Sequence, residues 1–76
     1  MWFVYILRCS DDTLYTGITN NLERRIKQHN EGKGAKYTRG RGPVTLIKSF
    51  ECESKSAALK LEFSIKQLPR EEKLKL

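Results

Sequence analysis

Five side chains in this sequence can carry acid–base chemistry on an anionic substrate if the fold brings them together: Tyr5, Tyr15, Arg25, His29 and Glu62. Leu22, Arg25, Ile26 and His29 follow one another at i, i+3, i+4 and i+7, one face of a helix. Leu22 and Ile26 want a core. Arg25 and His29 want water or a partner. Glu62 falls inside a second apolar stripe, formed by Ala58, Leu61, Ile65 and Leu68. A charge buried without a partner is expensive. Three polar residues of complementary sign, on two helices that must pack on one small sheet, read in one of two ways. Either Arg25 and Glu62 form a buried ion pair with His29 as a satisfied neighbour, or the three line a shared polar pocket. Tyr5 and Tyr15, each taken alone, read as core aromatics whose hydroxyls reach the rim. An unperturbed phenol is only on the order of 0.1% ionised at pH 7. Nearby cations lower its pKa, and a tyrosine becomes a useful general base in such a setting.

The elements that position these residues are legible in order. Residues 2 to 9, Trp-Phe-Val-Tyr-Ile-Leu-Arg-Cys, are aromatic, β-branched and apolar, so they predict a strand covered on both faces. Alternation sets Phe3, Tyr5, Leu7 and Cys9 on one face and Trp2, Val4, Ile6 and Arg8 on the other. Ser10-Asp11-Asp12 is turn chemistry, and Thr13 to Thr19 resumes as a second strand, closing a hairpin. Gly17 within that strand marks a bulge or the close approach of another group. Asn20 or Asn21 caps a helix running to about Glu31. Gly32 is its C-terminal cap. A third strand follows from Val44 to Cys52. Ser54 then caps a helix from about Lys55 to Leu68, and Pro69 opens a last short one at its N1 position. The order β-β-α-β-α-α predicts an α+β fold: a small three-stranded antiparallel sheet flanked by helices.

Between the first helix and the third strand lies a loop, Gly-Lys-Gly-Ala-Lys-Tyr-Thr-Arg-Gly-Arg-Gly-Pro, over residues 32 to 43. It holds Lys33, Lys36, Arg39 and Arg41 and no acid. A short helical turn around Ala35 to Thr38 is compatible with it. Its cations and Tyr37 suit a phosphate backbone and a stacked base; the plain alternative is a solvated basic loop.

The 76 residues make a single domain, 1 to 76, with a formal net charge of +6. That balance favours an anionic partner, nucleic acid before membrane. No apolar run approaches the about 20 residues that span a bilayer. The start lacks the basic segment and cleavage site of a signal peptide. A cytoplasmic protein is expected. Cys9 and Cys52 read as two small core hydrophobes, with no metal-ligand spacing and no disulfide framework.

With these residues in place the chain resembles the GIY-YIG nuclease superfamily, in particular its small stand-alone bacterial members. Phe3-Val4-Tyr5 stands as the first motif and Tyr15-Thr16-Gly17 as the second. The motif arginine and histidine correspond to Arg25 and His29 in Arg-Ile-Lys-Gln-His, and the metal-binding glutamate to Glu62 in Ala-Leu-Lys-Leu-Glu-Phe. The resemblance covers about residues 2 to 68 and implies a phosphodiesterase. It assigns a single divalent metal, Mg2+ or Mn2+, to Glu62, phosphate contact to Arg25, and the base or nucleophile to Tyr5 or Tyr15, with His29 orienting or deprotonating it. Arg8 would approach the phosphate, and Gly17 would admit backbone or substrate. Structured, branched or single-stranded DNA is the expected substrate, with Lys33, Lys36, Tyr37, Arg39 and Arg41 as further contacts and a monomer as the acting form. The alternative is a catalytically weak or inactive nucleic-acid-binding module of the same fold. It is prompted by the lack of any asparagine after Asn30, since many active relatives carry one late in the domain.

Overall fold

A computed structural model describes residues 1–76. Its elements are β1 (Trp2–Arg8), β2 (Leu14–Thr19), α1 (Leu22–Asn30), a 3-10 turn (Lys36–Thr38), β3 (Thr45–Cys52), α2 (Lys55–Lys66) and α3 (Arg70–Lys75). The three strands form one antiparallel sheet in the order β2-β1-β3. The most apolar strand takes the middle, where both backbone edges are paired, and Val4, Tyr5, Ile6 and Leu7 are all buried. The expected α+β architecture is the observed one.

The alternation of β1 divides the core into two layers. Val4 and Ile6 pack with Ala58 and Ile65 of α2, and with Leu14, Ile18 and Leu61 around them. Tyr5, Leu7 and Cys9 face the other way, onto Val44, Leu22 and Ile26. Each such side chain, fully buried, contributes about 1.5–3 kcal/mol relative to exposure. The helices α1 and α2 thus cover opposite faces of the sheet. One irregularity interrupts the pairing. Between Ile6 and Leu7 the partner on β3 steps from Lys48 to Leu46, so β3 carries the extra residue and β1 keeps its alternation.

The helix ends follow their chemistry. The Asn21 side chain accepts the Arg24 amide at 3.1 Å, and the Ser54 hydroxyl accepts that of Ala57 at 3.1 Å. At the other end of α1, Gly32 has φ +75°, its amide bonds the His29 carbonyl, and the Lys33 amide bonds that of Gln28 at 2.8 Å. This pair of bonds is the Schellman arrangement, and it turns the chain sharply into the basic loop. Pro69 stands one position outside α3, at its N-cap with ψ 162°, and not at N1. The α3 helix is tied back through the Arg70 guanidinium to Asp12, at 3.1 Å.

Candidate active site

Tyr5, Tyr15 and His29 meet on the α1 face of the sheet. Tyr5 projects from the central strand directly opposite Gly17 on β2. A Cβ at Gly17 would lie 2.7 Å from the Tyr5 hydroxyl and 2.9 Å from the Tyr15 ring. Gly17 is therefore the close-approach glycine of the two readings, not a bulge. The Tyr15 ring lies 6.2 Å from that of Tyr5 and 5.4 Å from that of His29. His29 is placed in the last turn of α1, and it is the one residue of that helix that is fully buried. Its Nε2 lies 2.9 Å from the Tyr5 hydroxyl.

The other imidazole nitrogen has a partner that sequence reasoning missed. His29 Nδ1 lies 2.7 Å from the hydroxyl of Thr38, in the 3-10 turn of the loop, and Thr38 is 1% exposed. The Thr38 hydroxyl in turn donates to the Ala35 carbonyl at 3.0 Å. Gly34 was also missed. Its Cβ would lie 2.3 Å from His29 Nδ1, so the backbone at residue 34 lies flat against the ring. Nothing in the local sequence marks Thr38 as a histidine partner nine positions away. A loop glycine with no positive φ to explain it, as at Gly34, is a signal that only coordinates reveal.

Arg25 is half-buried. Its guanidinium donates to the Gln28 side chain at 3.2 Å and forms no ion pair. The buried Arg25–Glu62 pair is absent. Glu62, its side chain 18% exposed, instead sits 3.4 Å from Lys66 on its own helix. Even so, the charges of both Arg25 and Glu62 are felt at Tyr5. Burial pushes the Tyr5 phenol above its ordinary pKa of 10, Arg25 beside it pulls the other way, and Tyr15 and Glu62 add to the rise. The sequence predicted a phenol lowered by cations; here desolvation outweighs the arginine. Burial, and then Arg25, hold the His29 imidazole below its usual pKa of 6.5. The pair is therefore a neutral phenol against a neutral imidazole at neutral pH.

Glu62 is a lone carboxylate. No group of three or more His, Cys, Asp or Glu side chains gathers anywhere in the structure. Such a donor suits a hard cation that keeps most of its water, such as Mg2+. It does not suit Zn2+, which takes four protein or solvent ligands in a closed or nearly closed set.

The loop residues divide. The Arg41 guanidinium pairs with Asp11 at 3.1 Å and lies 4.4 Å from the centre of the Tyr37 ring. Tyr37 stacks on Tyr15 at 5.8 Å. The Asp11 carboxyl is held below its ordinary pKa first by the Thr13 hydroxyl and then by Arg41. Arg41 and Tyr37 thus fasten the loop over the tyrosines. Lys33, Lys36 and Arg39 are exposed and unpaired. Arg8 is exposed, and the alternation of β1 sets it on the face away from Tyr5. Both cysteines are thiols, Cys9 buried and Cys52 half-buried. No helix is long and apolar enough to cross a membrane.

The chain is similar in sequence to several known proteins, and two with solved structures share its fold. A UPF0213 protein of Oceanobacillus iheyensis is 61% identical over 74 residues, covering 97% of this chain and 86% of its own. One of Clostridium perfringens is 59% identical over 76 residues, 100% of this chain and 82% of its own. The solution NMR structure of the UPF0213 protein from Bacillus halodurans matches at 50% identity with a TM-score of 0.59, over 96% of this chain and 79% of that one. A solution NMR structure of a protein from E. faecalis matches at 41% identity with a TM-score of 0.65. The family model described as the GIY-YIG catalytic domain matches residues 1–75, and the chain belongs to that family.

Proposed function

We propose that this chain is a metal-dependent endonuclease that hydrolyses phosphodiester bonds in nucleic acid, with structured, branched or single-stranded DNA as its substrate. The observation that carries this reading is the buried bond between the Tyr5 hydroxyl and His29 Nε2, beside an arginine with no carboxylate partner. The domain 1–76 acts as one unit and as a monomer.

In the proposed reaction Arg25 binds the scissile phosphate and stabilises the charge that grows on its oxygens. A raised phenol pKa keeps Tyr5 protonated at rest. Tyr5 therefore serves as a base only by giving its proton to His29 as it takes one from water. The neutral imidazole is ready to accept that proton. The water oxygen then bonds to phosphorus, the bond to the leaving oxygen breaks, and that oxygen takes a proton from solvent as His29 returns the one it accepted by way of Tyr5. Gly17 keeps the space beside the Tyr5 hydroxyl clear. Tyr15 packs against both rings and confines the base. Glu62 would hold the Mg2+ once Lys66 swings aside, and the metal, when bound, would neutralise charge on the phosphate and leaving oxygens. Lys33, Lys36 and Arg39 supply backbone contacts, and Tyr37 offers an edge to a base. Arg41 holds the loop.

The test is cleavage of flap, branched, single-stranded and duplex substrates with Mg2+, Mn2+ or chelator. Glu62→Gln and Arg25→Ala are compared with the parent. Cleavage should require the metal and fall about 100-fold or more in each variant, in line with the loss of a single transition-state contact. Parent protein that binds all substrates and cleaves none would overturn the enzyme reading in favour of a binding module.

A further inference from the structure

We propose that Thr38 is a positioning residue that locks His29 in the tautomer with its proton on Nδ1, leaving Nε2 bare to accept the proton of Tyr5. The proposal deepens the function given above and rests on it for its catalytic meaning, but the tautomer itself is a property of the folded chain.

Two counts of hydrogens lead to the same assignment. A threonine hydroxyl has one proton to give. The Thr38 proton goes to the Ala35 carbonyl at 3.0 Å. What remains at Thr38 Oγ1 are lone pairs, and 2.7 Å away stands His29 Nδ1, which must therefore bring the proton. The second count begins at Tyr5. The one hydrogen-bond partner of its hydroxyl is His29 Nε2 at 2.9 Å. Of the groups whose charge is felt at this oxygen, Arg25 can only donate, and Tyr15 and Glu62 form no hydrogen bond to it. The Tyr5 proton has no acceptor except Nε2, so Nε2 carries none of its own. With the proton on Nδ1, both ends of the imidazole and both hydroxyls are satisfied together.

The assignment has chemical weight because free histidine favours the opposite tautomer, with the proton on Nε2. In that state the ring would present a donor to Tyr5 and could not take its proton. Selection of the rarer form is built from the loop. Thr38 is 1% exposed, so water cannot replace its hydroxyl. Gly34 lies against the same nitrogen, close enough that a Cβ there would meet it at 2.3 Å. The ring can neither flip nor shift away from Thr38 without disturbing that backbone.

Long-range 15N–1H correlation of the His29 ring at pH 7 decides the matter in the parent protein. The proposal expects an unprotonated Nε2 and a protonated Nδ1. A protonated Nε2 would overturn it, whatever the cleavage assay shows. Conversely, the expected spectrum from a protein that cleaves nothing would leave the tautomer standing and remove the nuclease reading. Two variants extend the test. Thr38→Ser, which keeps the hydroxyl, should retain the parent spectrum and turnover. Thr38→Val should show the Nε2–H form and lose about 10–100-fold in kcat with KM little changed, short of the 100- to 10,000-fold that a whole general base contributes. A folded Thr38→Val protein with the parent spectrum and full kcat would refute the positioning role. If Thr38→Val does not fold, the parent spectrum and the Ser variant still decide.

Discussion

Gly34→Ala isolates the contact between the loop and the imidazole. The φ of Gly34 is outside the left-handed region, so alanine is not excluded by the backbone. The obstacle is contact alone. A Cβ there would stand 2.3 Å from His29 Nδ1, 2.7 Å from Cγ and 2.8 Å from Cε1. Ordinary carbon–nitrogen contact begins near 3.5 Å, so ring and loop must separate by about 1 Å. His29 is 1% exposed and has no free direction. A shift of that size breaks the bonds to Tyr5 and Thr38, 2.9 and 2.7 Å long. Overpacking costs about 1–3 kcal/mol, and two buried hydrogen bonds about 0.5–1.5 kcal/mol each. The lost flexibility of the unfolded chain returns about 0.4–1 kcal/mol. The net is a destabilisation of about 3 kcal/mol, within a range of roughly 1–5.5 kcal/mol, against a total of about 4–11 kcal/mol for a chain of this length. Urea denaturation of parent and variant under identical conditions reads it directly, and the melting temperature should fall by about 10–25 °C. Loss of less than 0.5 kcal/mol, with the His29 ring resonances unmoved, would refute the reasoning, because it would mean the loop yields without disturbing the ring.

Two further expectations follow from the charges. Because the His29 imidazole is held below its ordinary 6.5, the unfolded chain binds its proton first as the pH falls. Stability should be level above about pH 7 and decline from there down to the folded pKa, with a slope of at most about 1.4 kcal/mol per pH unit. His29→Gln should remove that slope between about pH 6.5 and 5, and a parent whose denaturation midpoint stays flat over this interval would contradict the burial assigned to the ring. Replacing Lys33, Lys36 and Arg39 together by alanine should make the salt dependence of log K for duplex DNA shallower by up to about 2.7, while Arg41→Ala should instead lower stability through its Asp11 and Tyr37 contacts. An unchanged slope in the triple variant, measured by anisotropy across a salt series, would place the nucleic-acid contact elsewhere.

The periodic and capping signals were legible in the sequence because they are local. Asn21, Ser54 and Gly32 act within four or five residues, and the alternation of β1 survives the bulge on its neighbour. Tyr5, Tyr15 and His29 could be singled out because each breaks or decorates a regular pattern. What pattern could not give was the side of the sheet that each helix would take. Either helix presents an apolar stripe that would cover either face, and only the fold shows α1 on the Tyr5 side and α2 on the Val4 side. The ion-pair reading of Arg25 and Glu62 fails because each finds a partner on its own helix, Gln28 and Lys66. Thr38 on His29 and Asp11 on Arg41 are contacts across nine and thirty positions, invisible to any periodic rule. The direction of the Tyr5 pKa was misjudged because it is a contest between burial and charge, and a sequence displays the charges without the burial.

The position of Tyr5 and His29 on elements held so differently has one more consequence. Tyr5 lies in the central strand, bonded on both sides and buried on both faces, so its amide opens only when the whole sheet does. His29 is carried by a nine-residue helix that docks through the half-buried Leu22 and Ile26, and Thr38 by a loop pinned at Arg41. With fewer buried apolar anchors than the sheet, these pieces are expected to open at a lower free energy than it does. The phenol and its proton acceptor can part while the sheet remains intact. Folding of the sheet and assembly of the acid–base pair are therefore two equilibria, and a substitution in α1 or the loop can abolish the second while leaving the strand spectrum of the protein untouched.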